Sequence, residues 1–111
     1  MRAKAIYRGM ETVHGPATGL VYFIRARSAS LDCVKIGFTR NNPEQRLRAL
    51  QTGCPLDLVL VGSVIGCERM EAELHKVFGN DHARGEWFTL TRHVEANIEA
   101  IMTAQNWAWM R

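Results

Sequence analysis

The chain has 111 residues, 47% of them apolar, enough for one domain with its own core and no disulfide or metal staple. No apolar run approaches ~20 residues, which excludes a membrane-spanning helix, and Cys33, Cys54 and Cys67, spaced by 21 and 13, fit neither a disulfide framework nor a Cys-x-x-Cys pair. The net charge of +3 divides into +6 over residues 1–50 and −3 over residues 51–111, a basic half suited to a polyanion beside an acidic half with carboxylates for another purpose.

Residues 1–18 hold Gly9, Gly15 and Pro16 without a clear period and are read as an arm or extra element. Arg2, Lys4 and Arg8 precede no apolar stretch, so no secretory signal is expected. With the cysteines taken as reduced, the expected setting is intracellular. A first strand is expected over 19–26, a polar hairpin loop over 27–32 and a second strand over 33–38. A helix then starts at Asn42 as cap, with Pro43 at its first position and Gln45 completing a capping-box spacing; Leu47 and Leu50 give its apolar stripe and Gly53 stops it. Residues 56–65 are strongly apolar and are expected to be a central third strand. The second helix is expected over 67–79, with Met70, Leu74, Val77 and Phe78 on one buried face. Gly85-Glu86-Trp87-Phe88 reads as a short strand. Thr91 can cap a third helix striped with Val94, Ile98, Ile101 and Met102, and the tail holds Trp107 and Trp109. The order β-β-α-β-α-(β)-α predicts a small α+β domain.

Side chains alternate faces along a strand. Val21 and Phe23 share one face of the first strand, and Val34, Ile36 and Phe38 one face of the second. If the apolar sets pair, Tyr22 and Lys35 emerge together on the other face, a phenol beside a cation. The ordinary alternative is a half-buried tyrosine and a solvated lysine.

On the first helix, Glu44 precedes Arg48 by four residues, which explains Arg48 as a surface pair. No carboxylate on its own helix claims Arg46, so it is the better candidate for gripping phosphate. On the second helix Arg69 and Glu73 are i, i+4 partners, whereas Glu71 faces His75 at i+4 beside Leu74 and Phe78. A carboxylate and an imidazole there suit a hard metal ion and a proton-handling neighbour, or else a plain helix-surface contact. With no second acid at ligand spacing on that face, one ion surrounded by water and phosphate is expected, as Mg²⁺ prefers. The phosphate-loop signature, the nucleophile elbow and His-Glu-x-x-His are all absent. His14, His82 and His93 sit in polar contexts and are expected to be solvated.

Leu20-Val21-Tyr22-Phe23, then Lys35-Ile36-Gly37, then Asn42…Arg46-Leu47, then Met70-Glu71…Leu74-His75 together resemble the ordered motifs of the GIY-YIG nuclease superfamily. The ending Arg84-Gly85-Glu86-Trp87-Phe88 looks like the branch of small domains of the meiotically up-regulated gene type, which carry Lys-Ile-Gly in place of Tyr-Ile-Gly. The resemblance covers residues 19–90. It implies a three-stranded, mainly antiparallel sheet flanked by helices. It also implies Tyr22 as general base toward water, Arg46 as transition-state cation and Glu71 as holder of one divalent ion, Mg²⁺ or Mn²⁺. His75, Arg84 and Glu86 match the branch pattern, and Arg40 and Arg84 join Arg46 and Lys35 as expected nucleic-acid contacts. Lys35 stands where the superfamily has its second tyrosine, where an ammonium can bind phosphate or act on Tyr22.

The expectation is a metal-dependent endonuclease that hydrolyses phosphodiester bonds in nucleic acid, DNA first. The domain is expected over 19–90, with residues 91–111 as a helix and aromatic tail packed on it. The rival readings are a non-cutting nucleic-acid binder of the same fold and an interaction domain that docks a partner protein through the tail.

Overall fold

The computed structural model describes the backbone of residues 11–12 and 15–110 and the side chains of residues 15–105. Arg2, Lys4, Arg8, His14, Trp107 and Trp109, and with them most of the expected arm and the aromatic tail, lie outside the described side chains.

Two short strands, β1 (Glu11–Thr12) and β2 (Gly15–Pro16), pair with each other. The main sheet is built on the hairpin of β3 (Gly19–Arg27) and β4 (Asp32–Thr39), whose register sets Tyr22 opposite Gly37, Phe23 opposite Ile36 and Ile24 opposite Lys35. Ser28 N–H closes the turn on the Leu31 carbonyl at 2.7 Å. The first helix, α1 (Pro43–Gln51), starts where the chain chemistry says it should: Asn42 accepts the Glu44 N–H at 2.8 Å and Pro43 takes the first position. It stops at Gly53, whose φ of +80° only glycine adopts freely. Gln51 then ties the helix end to the next strand, donating to Leu56 O at 2.8 Å and accepting Leu58 N–H at 2.9 Å.

After β5 (Leu58–Gly66) comes α2 (Glu68–Val77). A 3-10 turn leads to β6 (His82–Arg84) and β7 (Trp87–Thr89), and α3 (Arg92–Met110) follows, capped by Thr91, which accepts Val94 N–H at 3.2 Å. The sheet order is β5-β3-β4-β7-β6, all antiparallel. The α+β class is as expected. The expected three-stranded sheet is present as β5-β3-β4, and the Gly-Glu-Trp-Phe segment extends it to five by folding as a hairpin around Gly85 (φ +57°).

One placement differs. The apolar run of β5 predicts a central strand, but β5 lies at an edge and β3 takes the centre. The β3–β5 register slips between Phe23 and Ile24, which leaves Val59 57% and Val61 43% exposed. A bulge switches the facing pattern, so a continuous apolar run need not mean two covered faces. The backbone of Ile65, at this edge, is paired by a side chain instead of a strand. Its N–H donates to Gln105 Oε1 at 2.6 Å, and Gln105 Nε2–H donates back to Ile65 O at 3.1 Å. Val77, expected on the buried face of α2, is 58% exposed; Leu74 and Phe78 carry that face.

The sheet is covered on both sides. One face buries Val21, Phe23, Val34, Ile36 and Val64 under Leu74 and Phe78 at α2 and Val94 and Ile98 of α3. The other buries Tyr22, Ile24, Ala26, Cys33 and Leu58 against Leu47 and Leu50 of α1. Helices on opposite faces thus leave the open stretch of β4 beyond β7 as a place where residues of all three layers meet. No described helix is long and apolar enough to cross a membrane.

Candidate functional site

Tyr22 lies on the α1 side of the sheet and is 1% exposed. Its ring sits over Gly37, its cross-strand partner: a Cβ at position 37 would fall inside the ring and hydroxyl of Tyr22. The glycine of Lys-Ile-Gly is therefore a space requirement of the tyrosine, not a turn. Arg46 reaches in from α1 and its Nε–H points to Tyr22 Oη at 3.5 Å, a long contact. The Tyr22 hydroxyl and charge, with Glu86 adding, hold the Arg46 guanidinium above its ordinary value. Arg46 itself is exposed and forms no ion pair among the described residues, so its outer donors are available to an incoming anion.

Lys35 shares the Tyr22 face, two residue pairs along the hairpin. It is only 9% exposed, and its Nζ–H donates to Glu86 Oε1 at 2.6 Å. An almost buried ammonium needs such a counter-charge. The carboxylate comes from the turn between β6 and β7, whose backbone is fixed beside it: Ile36 N–H donates to Glu86 O at 3.0 Å. Glu86 was legible only as part of an ending of undefined role. The signal that reveals it is a lysine in an apolar strand, which demands an acid from elsewhere in the fold.

Glu71 rises from α2 toward the same edge of β4. Burial pushes its carboxyl above the usual glutamate range, and Glu86 pushes it further, while His75 and Lys35 pull it back. It accepts no hydrogen bond and makes no ion pair among the described residues. His75, one turn on, is half-buried and committed to the backbone: the Ile36 carbonyl can only accept, so Nε2 carries the proton and donates to it at 2.9 Å. That bond satisfies β4 where β7 no longer covers it. The ring also packs edge-on against Phe88 at 5.0 Å.

The structure thus brings together Tyr22, Lys35, Arg46, Glu71 and His75, and adds Glu86. It sets the other two expected contacts apart. Arg40 lies over the Phe38 ring at 5.6 Å and pairs with exposed Glu68 at 3.4 Å, while Arg84 is exposed on β6. The helix pairs expected from spacing do not form. Glu44 and Arg48 make no bridge, and Glu73 pairs with Lys76 at 3.7 Å in place of Arg69. His82 and His93 are exposed as expected, and both also have partners: His82 donates to Gly85 O at 2.8 Å and packs on Phe88 at 5.4 Å, and His93 packs edge-on to Phe78 at 5.8 Å.

Among the described residues no three His, Cys, Asp or Glu side chains converge as a closed metal cage. The donor set fits a different ion. A divalent cation of the Mg²⁺ kind takes one or two carboxylates and fills its shell with water and phosphate oxygen. Glu71, unpaired and held in a half-buried place where its negative charge is disfavoured, has the chemistry of such a ligand.

A model of the T5orf172 domain family matches residues 19–106, a span that includes every residue of this cluster. T5orf172 domains are related to GIY-YIG-like nuclease domains. No curated protein and no solved structure matches the chain.

Proposed function

The chain belongs to the T5orf172 domain family, and from that premise we propose that it is a metal-dependent endonuclease that hydrolyses phosphodiester bonds in nucleic acid, DNA first. The observation that carries the proposal is the contact of Arg46 with Tyr22 and, from α2, unpaired Glu71 within electrostatic reach of Lys35 and Glu86, the latter also acting on Arg46. Lys35-Ile36-Gly37 and the Arg84–Phe88 ending support reading it with the small Lys-Ile-Gly branch of GIY-YIG domains. Cys33, Cys54 and Cys67, whose spacing fits no disulfide framework, suit a reducing compartment.

In this reading Tyr22 acts as its phenolate: Oη takes a proton from the attacking water as the water oxygen bonds phosphorus and the bond to the leaving oxygen breaks, and that oxygen is protonated from solvent. Arg46 binds the non-bridging oxygens and stabilises the charge that gathers on them in the transition state. Glu71 would hold the divalent ion, which when bound supplies charge neutralisation for the phosphate and the leaving oxygen. Because Tyr22 is 1% exposed and its hydroxyl meets Arg46 Nε at 3.5 Å, phosphate binding does two things at once. It draws the Arg46 guanidinium outward, and it opens Oη to water. Arg40, Arg84 and the basic first half of the chain would add phosphate contacts, and affinity should fall steeply with salt.

The burial of Tyr22 also favours one rival, a fold that grips nucleic acid through Arg46 without cutting it. Incubation of supercoiled plasmid with the protein separates the two, run with Mg²⁺, with Mn²⁺ and with EDTA. Metal-dependent nicking, lost in Glu71→Gln and strongly slowed in Tyr22→Phe, is expected. Salt-sensitive binding without nicking would leave the binder. Nicking that persists in Glu71→Gln would refute the metal assignment.

A further inference from the structure

The Lys35–Glu86 pair has a consequence for how the site works. Lys35 is the one cation of the cluster with a short bond to a carboxylate, at 2.6 Å. Its side chain is 11% exposed against 43% for Glu86, so the carboxylate sits on the solvent side and the ammonium beneath it. A lysine in that position contributes little net positive charge to an approaching polyanion, since the pair is neutral seen from outside. What it does contribute is two further N–H donors in a fixed place. The fixing is thorough. Glu86 leaves a turn made possible by Gly85 at φ +57°, that turn is braced by the His82–Gly85 bond at 2.8 Å, and the Glu86 carbonyl accepts the Ile36 N–H at 3.0 Å. The second motif is thus clasped at consecutive residues, Lys35 through its side chain and Ile36 through its backbone. Arg46, exposed and without such a partner, is the cation free to follow a phosphate.

We infer that Glu86 is a positioning residue of this site: it holds the Lys35 ammonium on the Tyr22 face of the sheet, so that Lys35 acts as a fixed hydrogen-bond donor and, of the two cations in the cluster, Arg46 acts as the mobile phosphate-binding one. The inference rests on the phosphodiesterase reading. Glu86 touches neither substrate nor reacting atoms and works through Lys35.

A double-mutant cycle tests it. The purified full-length chain is compared as wild type, Glu86→Ala, Lys35→Met and the double variant. Each is assayed for kcat and KM on plasmid with Mg²⁺ and for folding by circular dichroism. Glu86→Ala should lower kcat by about tenfold or more with KM within about twofold, the pattern of lost positioning and not of lost ground-state binding. Glu86→Gln, whose amide oxygen can still accept the Lys35 bond, should recover part of that loss. The double variant should be no slower than Lys35→Met alone. Losses that multiply in the double variant would overturn the inference, because Glu86 would then act on substrate or metal directly. Unchanged kcat in Glu86→Ala, or a loss that only tracks a fall in folded protein, would overturn it as well. A wild-type protein that cuts nothing would remove the nuclease reading by itself. The cycle is then read as the dissociation constant for a fluorescein-labelled duplex in EDTA, where coupling of the two substitutions upholds the clasp and additivity rejects it.

Discussion

At the scale of single residues, Glu71 and Gly37 show what the site demands of the fold. The carboxyl of Glu71 is raised by burial and by Glu86, so the folded protein binds its proton more readily than the unfolded chain does. The contribution of Glu71 to folded stability is therefore most favourable below the ordinary glutamate range, falls as pH rises through the window between the unfolded and folded values, and stays lower at neutral pH. Glu71→Gln should then raise the melting temperature at neutral pH while abolishing cleavage, a separation of stability from function that functional sites commonly display. Millimolar Mg²⁺ should raise the melting temperature of the wild type, which it binds only when folded, and not that of Glu71→Gln. Both are read by thermal denaturation. Gly37 has the opposite character. Gly37→Ala forces the added methyl into the Tyr22 ring, and overpacking of this kind costs about 1–3 kcal/mol. Denaturant unfolding should show that loss, and the nicking rate should fall with it because the tyrosine hydroxyl is displaced from Arg46.

At the scale of elements, local chemistry and long-range pairing divide the work. The β3–β4 hairpin is closed at its far end by Arg25 and Asp32, with Nε–Oδ1 at 2.8 Å and a second guanidinium nitrogen on Oδ2 at 2.7 Å. The bidentate bond to Arg25 holds the Asp32 carboxyl below the ordinary aspartate range. The sign is the reverse of Glu71: the contribution is present above the unfolded value and disappears as pH falls through the folded one. Both side chains are partly exposed, so Asp32→Asn should cost at most about 1 kcal/mol at neutral pH and flatten the acid limb of a stability–pH curve. The caps of α1 and α3 were readable from Asn42-Pro43 and Thr91 because a cap needs only residues two or three positions apart. The edge position of β5 was not readable, because an apolar run records that a strand is covered and not which neighbour covers it. The helix pairs Glu44–Arg48 and Arg69–Glu73 satisfy the spacing rule and still do not form, since spacing permits an exposed pair without enforcing it.

At the scale of the whole molecule, Phe88 is the joint between the site and the core. It lies on β7, is 1% exposed, and packs edge-on to His75 at 5.0 Å, Phe78 at 6.4 Å and His82 at 5.4 Å. Through these rings the β6–β7 hairpin that carries Glu86 is held to α2, which carries Glu71. Phe88→Ala should cost about 3–5 kcal/mol, measured by denaturant unfolding. Activity in the fraction still folded should fall more than in an equally destabilised variant of the α3 side, such as Ile98→Ala. The reason is that the cavity would open between the two elements that place the carboxylates.

Within the strands, the sequence by itself determined parity: Tyr22 and Lys35 had to share a face once Val21, Phe23, Val34 and Ile36 were buried together. It likewise determined where α1 begins and ends and where α3 begins, and that no carboxylate on its own helix claims Arg46 while Glu71 stands beside His75. Those properties depend on residues a few positions apart. The partner of Lys35 was decided only by the tertiary structure, because Glu86 lies 51 residues away and no local period records which turn will fold back beside a strand. The same holds for His75, whose donor was spent on the Ile36 carbonyl only because β7 ends before covering it, and for the order of strands that moved β5 to the edge. A strand's sequence encodes which of its faces is apolar; the assembly of layers decides what each face meets.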